Sequence, residues 1–174
     1  MHALEKVKMN DMIKIFLAGM MMLASLYLQA QTPKIYNPEA DAKLEIQQAA
    51  VKANAESKHV FLQIGGNWCP WCIKFHQFIQ DHEAIKSFVD QNFVVLKVNY
   101  SKENPNADVL EKLQFPQRFG FPVFVILDDA GNRIHTQNSA YLEENGGYSE
   151  KKVMEFFRQW APAALQPESY KKDR

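Results

Sequence analysis

His59-Val60-Phe61-Leu62-Gln63-Ile64-Gly65-Gly66-Asn67-Trp68-Cys69-Pro70-Trp71-Cys72 is the stretch that decides the fold of this chain. Its first six residues form an apolar run of the kind that makes a buried strand. Ile73 to Ile79, just beyond it, has helical spacing. The two cysteines, the only ones among 174 residues, therefore fall where a strand hands over to a helix. A sulfur at a helix start meets the partial positive charge of the free amides, which stabilises a thiolate. The second sulfur lies three residues on, near enough to close a disulfide within one turn. Such a small loop adds little chain-entropy stabilisation, so the pair is poorly placed as a staple and well placed for exchange.

Composition narrows the field further. Lys+Arg 20 against Asp+Glu 20 leaves net charge zero, which offers no bulk field for nucleic acid. No glycine-rich phosphate loop, long charge run or internal repeat is present, and 47% hydrophobic residues suffice for one core. Ile15 to Leu28 carries no charge, with Lys6, Lys8 and Lys14 before it and Gln29-Ala30-Gln31-Thr32-Pro33 after it. A membrane span needs about 20 apolar residues, so this run has the length of a signal peptide. The sequence thus reads as residues 1–30, an export signal cleaved near Ala30, followed by a single domain over 31–174 with a frayed tail at 167–174. Met9 to Gln31 alone makes a complete signal. The closing Lys171-Lys172-Asp173-Arg174 is not a lumenal retention signal, which points to a periplasmic or secreted protein. No membrane contact is expected beyond the signal.

Along the mature chain, Ile35-Tyr36 reads as a short first strand. Pro38 to Ser57 reads as a helix with Leu44, Val51 and Ala55 on its apolar side, and Gly65-Gly66-Asn67 as a flexible approach to the cysteines. A helix runs from Pro70 to Asp81, and a second amphipathic piece carries Ile85, Phe88 and Val89 to about Asn92. Phe93 to Val98 reads as a central strand covered on both faces. A short helix falls around Ala107 to Leu113. A strand over Phe121 to Leu127 turns at Asp128–Asn132 into Arg133–Thr136, an edge hairpin. A loop ends in Asn145-Gly146-Gly147-Tyr148. Ser149 caps a last helix bearing Val153, Phe156, Phe157 and Trp160, which Pro162 stops. Strands separated by helices call for an α/β fold: a central mixed sheet of about four to five strands, helices on both faces, and an antiparallel edge hairpin.

That order, with Trp68-Cys69-Pro70-Trp71-Cys72 after the first long strand and Phe121-Pro122 opening a later one, resembles the thioredoxin superfamily over roughly 35–165. Within it the chain is most similar to small exported thioredoxin-like proteins. The resemblance implies disulfide exchange with protein or peptide substrates that carry cysteines, and a redox partner that recycles the pair. Cys69 would be the nucleophile and Cys72 the resolving thiol. Pro122 would be a cis-proline facing the cysteines, and Trp68, Pro70, Trp71 and Phe121 the rim that meets a substrate. Trp71, between the cysteines, is expected to be exposed; Trp68 is read equally as packing or as substrate contact. The chain departs from the family at Gln63, six residues before Cys69, where thioredoxins often carry a buried carboxylate. Loss of that charge eases formation of the Cys69 thiolate and shifts the pair toward the oxidising end. Gln63 is read as ordering water near Cys72, and His76, one turn past Cys72, as a group that tunes or shuttles protons.

Other readings of the pair fail or are weaker. Covalent haem needs a histidine where Ile73 stands. Zinc needs two more ligands, and His76 and His82 lack the spacing. No cofactor or metal is expected. The remaining rival is a non-catalytic peptide-binding or chaperone module that keeps only the groove of the fold.

Overall fold

A computed structural model describes residues 33–173, together with Met9, Met12, Ile13, Lys14 and Phe16, which are helical and, apart from Lys14's own contacts, exposed. The rest of the expected export signal lies outside the described residues. The chain divides into two units, Met1–Thr32 and Pro33–Arg174, and the second holds the fold.

Helix α1 (Ala42–Glu56) starts at Asp41, whose Oδ1 accepts from the Leu44 amide at 3.0 Å, and ends on Ser57 in the left-handed region. Strand β1 (His59–Gly65) follows, then α2 (Pro70–Asp81), α3 (Glu83–Asn92) and β2 (Phe93–Asn99). A short α4 (Ala107–Lys112) and a 3-10 turn (Pro116–Phe119) lead into the hairpin β3 (Val123–Leu127) and β4 (Arg133–Asn138). A 3-10 turn (Ser139–Leu142), a small hairpin β5 (Glu143–Glu144) and β6 (Gly147–Tyr148), and α5 (Glu150–Trp160) complete the domain.

The main sheet has the order β2-β1-β3-β4. β1 runs parallel to β2 and antiparallel to β3, and β4 closes the far edge antiparallel to β3. This is the mixed sheet with an edge hairpin that the sequence implies. The two-residue period of the strands sorts the core by chemistry. Val60, Leu62 and Ile64, with Val123, Val125 and Leu127, pack on Ala42, Ala49 and Ala53 of α1 and on Val109 and Leu110 of α4. Phe61, Phe124 and Ile126 look the other way, onto Phe75, Ile85, Val89, Phe156 and Phe157 of α2, α3 and α5. One layer is aliphatic and close-packed; the other is aromatic, with Phe75 and Phe124 centroids 4.3 Å apart.

Several local expectations are corrected. Ile35 and Tyr36 form no strand, because both amides are taken by the Asn67 side chain instead of a ladder. Leu44 and Val51 of α1 are 49% and 72% exposed, and the buried side is the alanine row, whose small side chains let the helix lie close to the sheet. β2 is an edge strand rather than a central one, so Val95 is exposed and Lys97 keeps partial access to water. Ser149 stands at the N-cap position of α5 but its side chain makes no capping bond. The loop before α5 contains a hairpin whose turn residues Asn145 and Gly146 both have positive φ, 51° and 75°. That is the backbone an Asn-Gly turn favours. Pro167–Asp173 forms 3-10 turns, and the Tyr170 hydroxyl donates to Ala164 O at 2.7 Å.

Candidate active site

β1 is central and wholly buried, so it delivers Gly65 to a fixed place. The turn that follows brings Cys69 to the N-cap of α2, with Pro70 in its first turn, where a missing amide costs nothing. Cys69 Sγ accepts from the Cys72 amide at 3.1 Å. The two cysteines are joined as a disulfide, and both are buried, Cys69 at 3% and Cys72 at 0% exposure. The first turn of α2 holds no acidic residue. Helix amides therefore face the Cys69 sulfur without a competing carboxylate on that turn.

The glycines before the cysteines supply space rather than flexibility. A Cβ on Gly65 would overlap Cys72 Sγ and stand 3.0 Å from the Tyr36 hydroxyl. A Cβ on Gly66 would run into the Trp68 indole and stand 2.7 Å from Tyr100 O. Asn67 is an anchor: its Oδ1 accepts from the Ile35 and Tyr36 amides at 2.9 and 3.0 Å, and its Nδ2 donates to Tyr36 O at 2.8 Å.

The aromatic rim differs from expectation in which tryptophan is open. Trp68 is 55% exposed; its Nε1 donates to Tyr100 O at 2.7 Å, and its ring meets Phe121 edge-on at 5.4 Å. Tyr100 also stacks on Phe121, at 4.7 Å. Trp71 is only half-exposed, because it lies on α2 against Tyr148 of β6, with Lys74 Nζ 4.3 Å over its ring. Pro70 is exposed. The Phe121–Pro122 bond is cis, Pro122 is buried, and Phe121 packs on the cluster of Tyr36, Cys69 and Cys72. Trp68, Phe121 and the two cysteines are thus brought together, with Pro122 next in the chain.

Gln63 is buried, and its amide nitrogen finds two partners within the protein. Nε2 donates to the Tyr36 hydroxyl at 2.8 Å and to Cys72 O at 3.0 Å. His76 lines a cavity of about 180 Å³ with Gln63, Asp90 and Lys97. Burial holds its pKa below the ordinary histidine value, and Lys97 adds to the effect. Burial likewise lowers the Lys97 pKa. Among the described residues no cluster of His, Cys, Asp and Glu could hold a metal ion, and no helix is long and apolar enough to cross a membrane. Sequence reading missed Tyr36, Asn67 and Tyr100. The polar Asn67 two residues before Cys69 was the one local sign that this turn is tied to something.

A model of the thioredoxin-like domain family matches residues 46–145. An uncharacterized protein of Caenorhabditis elegans is 34% identical over 64 residues, a match that spans 37% of this chain and 9% of that protein. In three dimensions the chain is similar to a disulphide isomerase from Xylella fastidiosa Temecula1, at TM-score 0.64 and 20% identity, over 73% of this chain and 96% of that one. It also matches a thioredoxin from Thermus thermophilus at TM-score 0.47 and 18% identity, over 65% and 81% of the two chains. With a strand-delivered disulfide at a helix start, and a family match over more than half of its length, this protein belongs to the thioredoxin-like domain family.

Proposed function

We propose that the protein is an exported thiol–disulfide oxidoreductase that exchanges disulfides with cysteine-containing proteins or peptides. The observation that carries this reading is the disulfide at the N-terminus of α2, bordered by the exposed Trp68 and by Phe121. Its fold is that of a structure described as a disulphide isomerase, which fits the same chemistry. A pair this close in sequence does little to hold the chain together. Held at helix amides, it is suited to open and close.

In the reducing direction Cys69, as thiolate, attacks a substrate disulfide. One substrate sulfur leaves with the electron pair and the other becomes bonded to Cys69. Cys72 then attacks the Cys69 sulfur, closing the disulfide seen here and releasing the second substrate sulfur. The reverse sequence gives a disulfide to a substrate dithiol. The Trp68 and Phe121 rings offer apolar surface for the peptide around the reacting cysteine. With a neutral amide at Gln63 where a carboxylate would oppose thiolate formation, the pair is weighted toward the oxidising direction. Residues 1–30 act as the export signal, and the domain works in a periplasm or outside the cell.

The test is trapping and turnover together. Cys72→Ser is expected to accumulate mixed disulfides with substrate proteins, and Cys69→Ser to form none and to lose turnover. Equilibration in glutathione buffers is expected to place the couple nearer the oxidising end, about −120 mV, than the reducing end, about −270 mV. The burial of both sulfurs favours one second reading, a peptide-binding module without exchange. Peptide binding with neither cysteine reacting would establish that reading and overturn the first.

A further inference from the structure

We propose that Tyr36 presents its hydroxyl to Cys72 as a hydrogen-bond donor, stabilising the resolving sulfur as a thiolate from a segment outside the strand–turn–helix that carries the cysteines. This rests on the exchange reading above and adds to it a residue that acts on the second step.

The hydroxyl is held from three sides. Tyr36 is buried in one cluster with Cys69 and Cys72. Its backbone is fixed by Asn67, which takes the Tyr36 amide and donates to its carbonyl. Its hydroxyl oxygen accepts from Gln63 Nε2, and the same nitrogen donates to Cys72 O. A carbonyl oxygen only accepts, so this second bond fixes which end of the Gln63 amide faces the site. With Gln63 donating, the tyrosine's own hydrogen turns away from the amide. The missing side chain at Gly65 leaves room on the far side: the space a Cβ would fill there lies 3.0 Å from the hydroxyl and overlaps Cys72 Sγ. Sulfur and hydroxyl therefore border the same gap.

Cys72 is fully buried, so ionising it without a donor is costly. A hydrogen bond to the charged sulfur offsets part of that cost. Burial raises the Tyr36 pKa well above its ordinary value, so the phenol stays protonated and serves as donor, not base. In the step itself Cys72 gives its proton to water and its thiolate attacks Cys69 Sγ. The Cys69–Cys72 bond forms as the Cys69–substrate bond breaks, and the electron pair leaves on the substrate sulfur. Tyr36 keeps its proton throughout. The other titratable groups facing the site are Cys69 and Tyr148; His76, Asp90 and Lys97 line the cavity on the side of Gln63.

The test uses the reduced full chain and oxidised glutathione, following separately the attack by Cys69 and the resolution of its glutathione mixed disulfide from about pH 5 to about pH 9. Tyr36→Phe keeps the ring and removes only the hydroxyl. Resolution at neutral pH is expected to slow about tenfold, with its pH midpoint moved upward, while Cys69 attack stays within about twofold. A purely structural role would leave that midpoint in place. A folded Tyr36→Phe variant with unchanged midpoint and rate overturns the proposal. Should Tyr36→Phe not fold, Gln63→Met removes the donor that turns the hydroxyl. It is expected to raise the midpoint in the same direction by less, and an unchanged midpoint there overturns the proposal equally. A wild-type chain that never forms the mixed disulfide would bring down the exchange reading itself, a result distinct from either variant's.

Discussion

Gly65 is the residue where the sheet, the cysteines and the upstream segment meet. Its φ is ordinary, so what it contributes is the absence of a side chain beside Cys72 Sγ and the Tyr36 hydroxyl. Gly65→Ala is expected to lose about 1–3 kcal/mol of stability through overpacking, read by urea unfolding of the oxidised protein. A change below about 0.5 kcal/mol would mean that Tyr36 gives way easily. Cys69 and Cys72 were legible in the sequence because their signal is local, two sulfurs three apart between a strand and a helix, whereas Pro122 was marked out only by the family resemblance. Tyr36 was not legible, because its partners Gln63 and Asn67 lie 27 and 31 residues away, and no short pattern links them. Trp71, expected to be exposed, is half-buried for a similar reason. Trp71 is drawn down by Tyr148, 77 residues on from it, while Trp68 is turned outward by its bond to Tyr100 O.

At the scale of elements, α1 separates propensity from packing. Its larger apolar side chains face water, and its alanines face the sheet. Val51→Lys is therefore expected to change stability by less than about 0.5 kcal/mol, whereas Ala53→Leu, at a fully buried position, is expected to cost about 1–3 kcal/mol. Thermal unfolding of the two variants reads the contrast directly, and equal losses would return Val51 to the core. Helices α2 and α3 and strands β1 and β3 were legible because their apolar periodicity is strong and their ends carry Pro70, Asp81 and Asp128. The central placement of β2 failed because strand position is set by topology: an apolar run looks the same at an edge and at a centre. The β5–β6 hairpin was legible in principle from Asn145-Gly146, but its strands are only two residues each and carry no alternation.

For the whole molecule, pH acts through two histidines on the aromatic side of the sheet. His76 and His135 both have pKa values lowered first by burial; Arg133 lowers that of His135 further while Gln137 opposes the shift, and Lys97 reinforces it at His76. The folded state thus favours their neutral forms, and the unfolded chain binds more protons below its own value of about 6.5. Stability from these two groups is full above that pH and is lost as the pH falls through it toward the folded values. The melting temperature of the wild type is expected to drop between about pH 7 and about pH 5, and a His76→Gln/His135→Gln double variant to drop less. Parallel curves would remove both residues from the account.

The central place of β1 has a consequence for amide exchange with deuterated solvent. Its residues from Val60 to Ile64 pair with β2 on one side and β3 on the other, so they open only when the sheet itself comes apart. These amides are expected to be among the slowest to exchange, and to keep the same rate whether the sulfurs are joined or separate. Oxidation and reduction should instead register in the turn after the strand, from Gly66 to Trp68, and at Phe121. Equal protection of that turn in both redox states would show a site that opens and closes its disulfide without any local loosening.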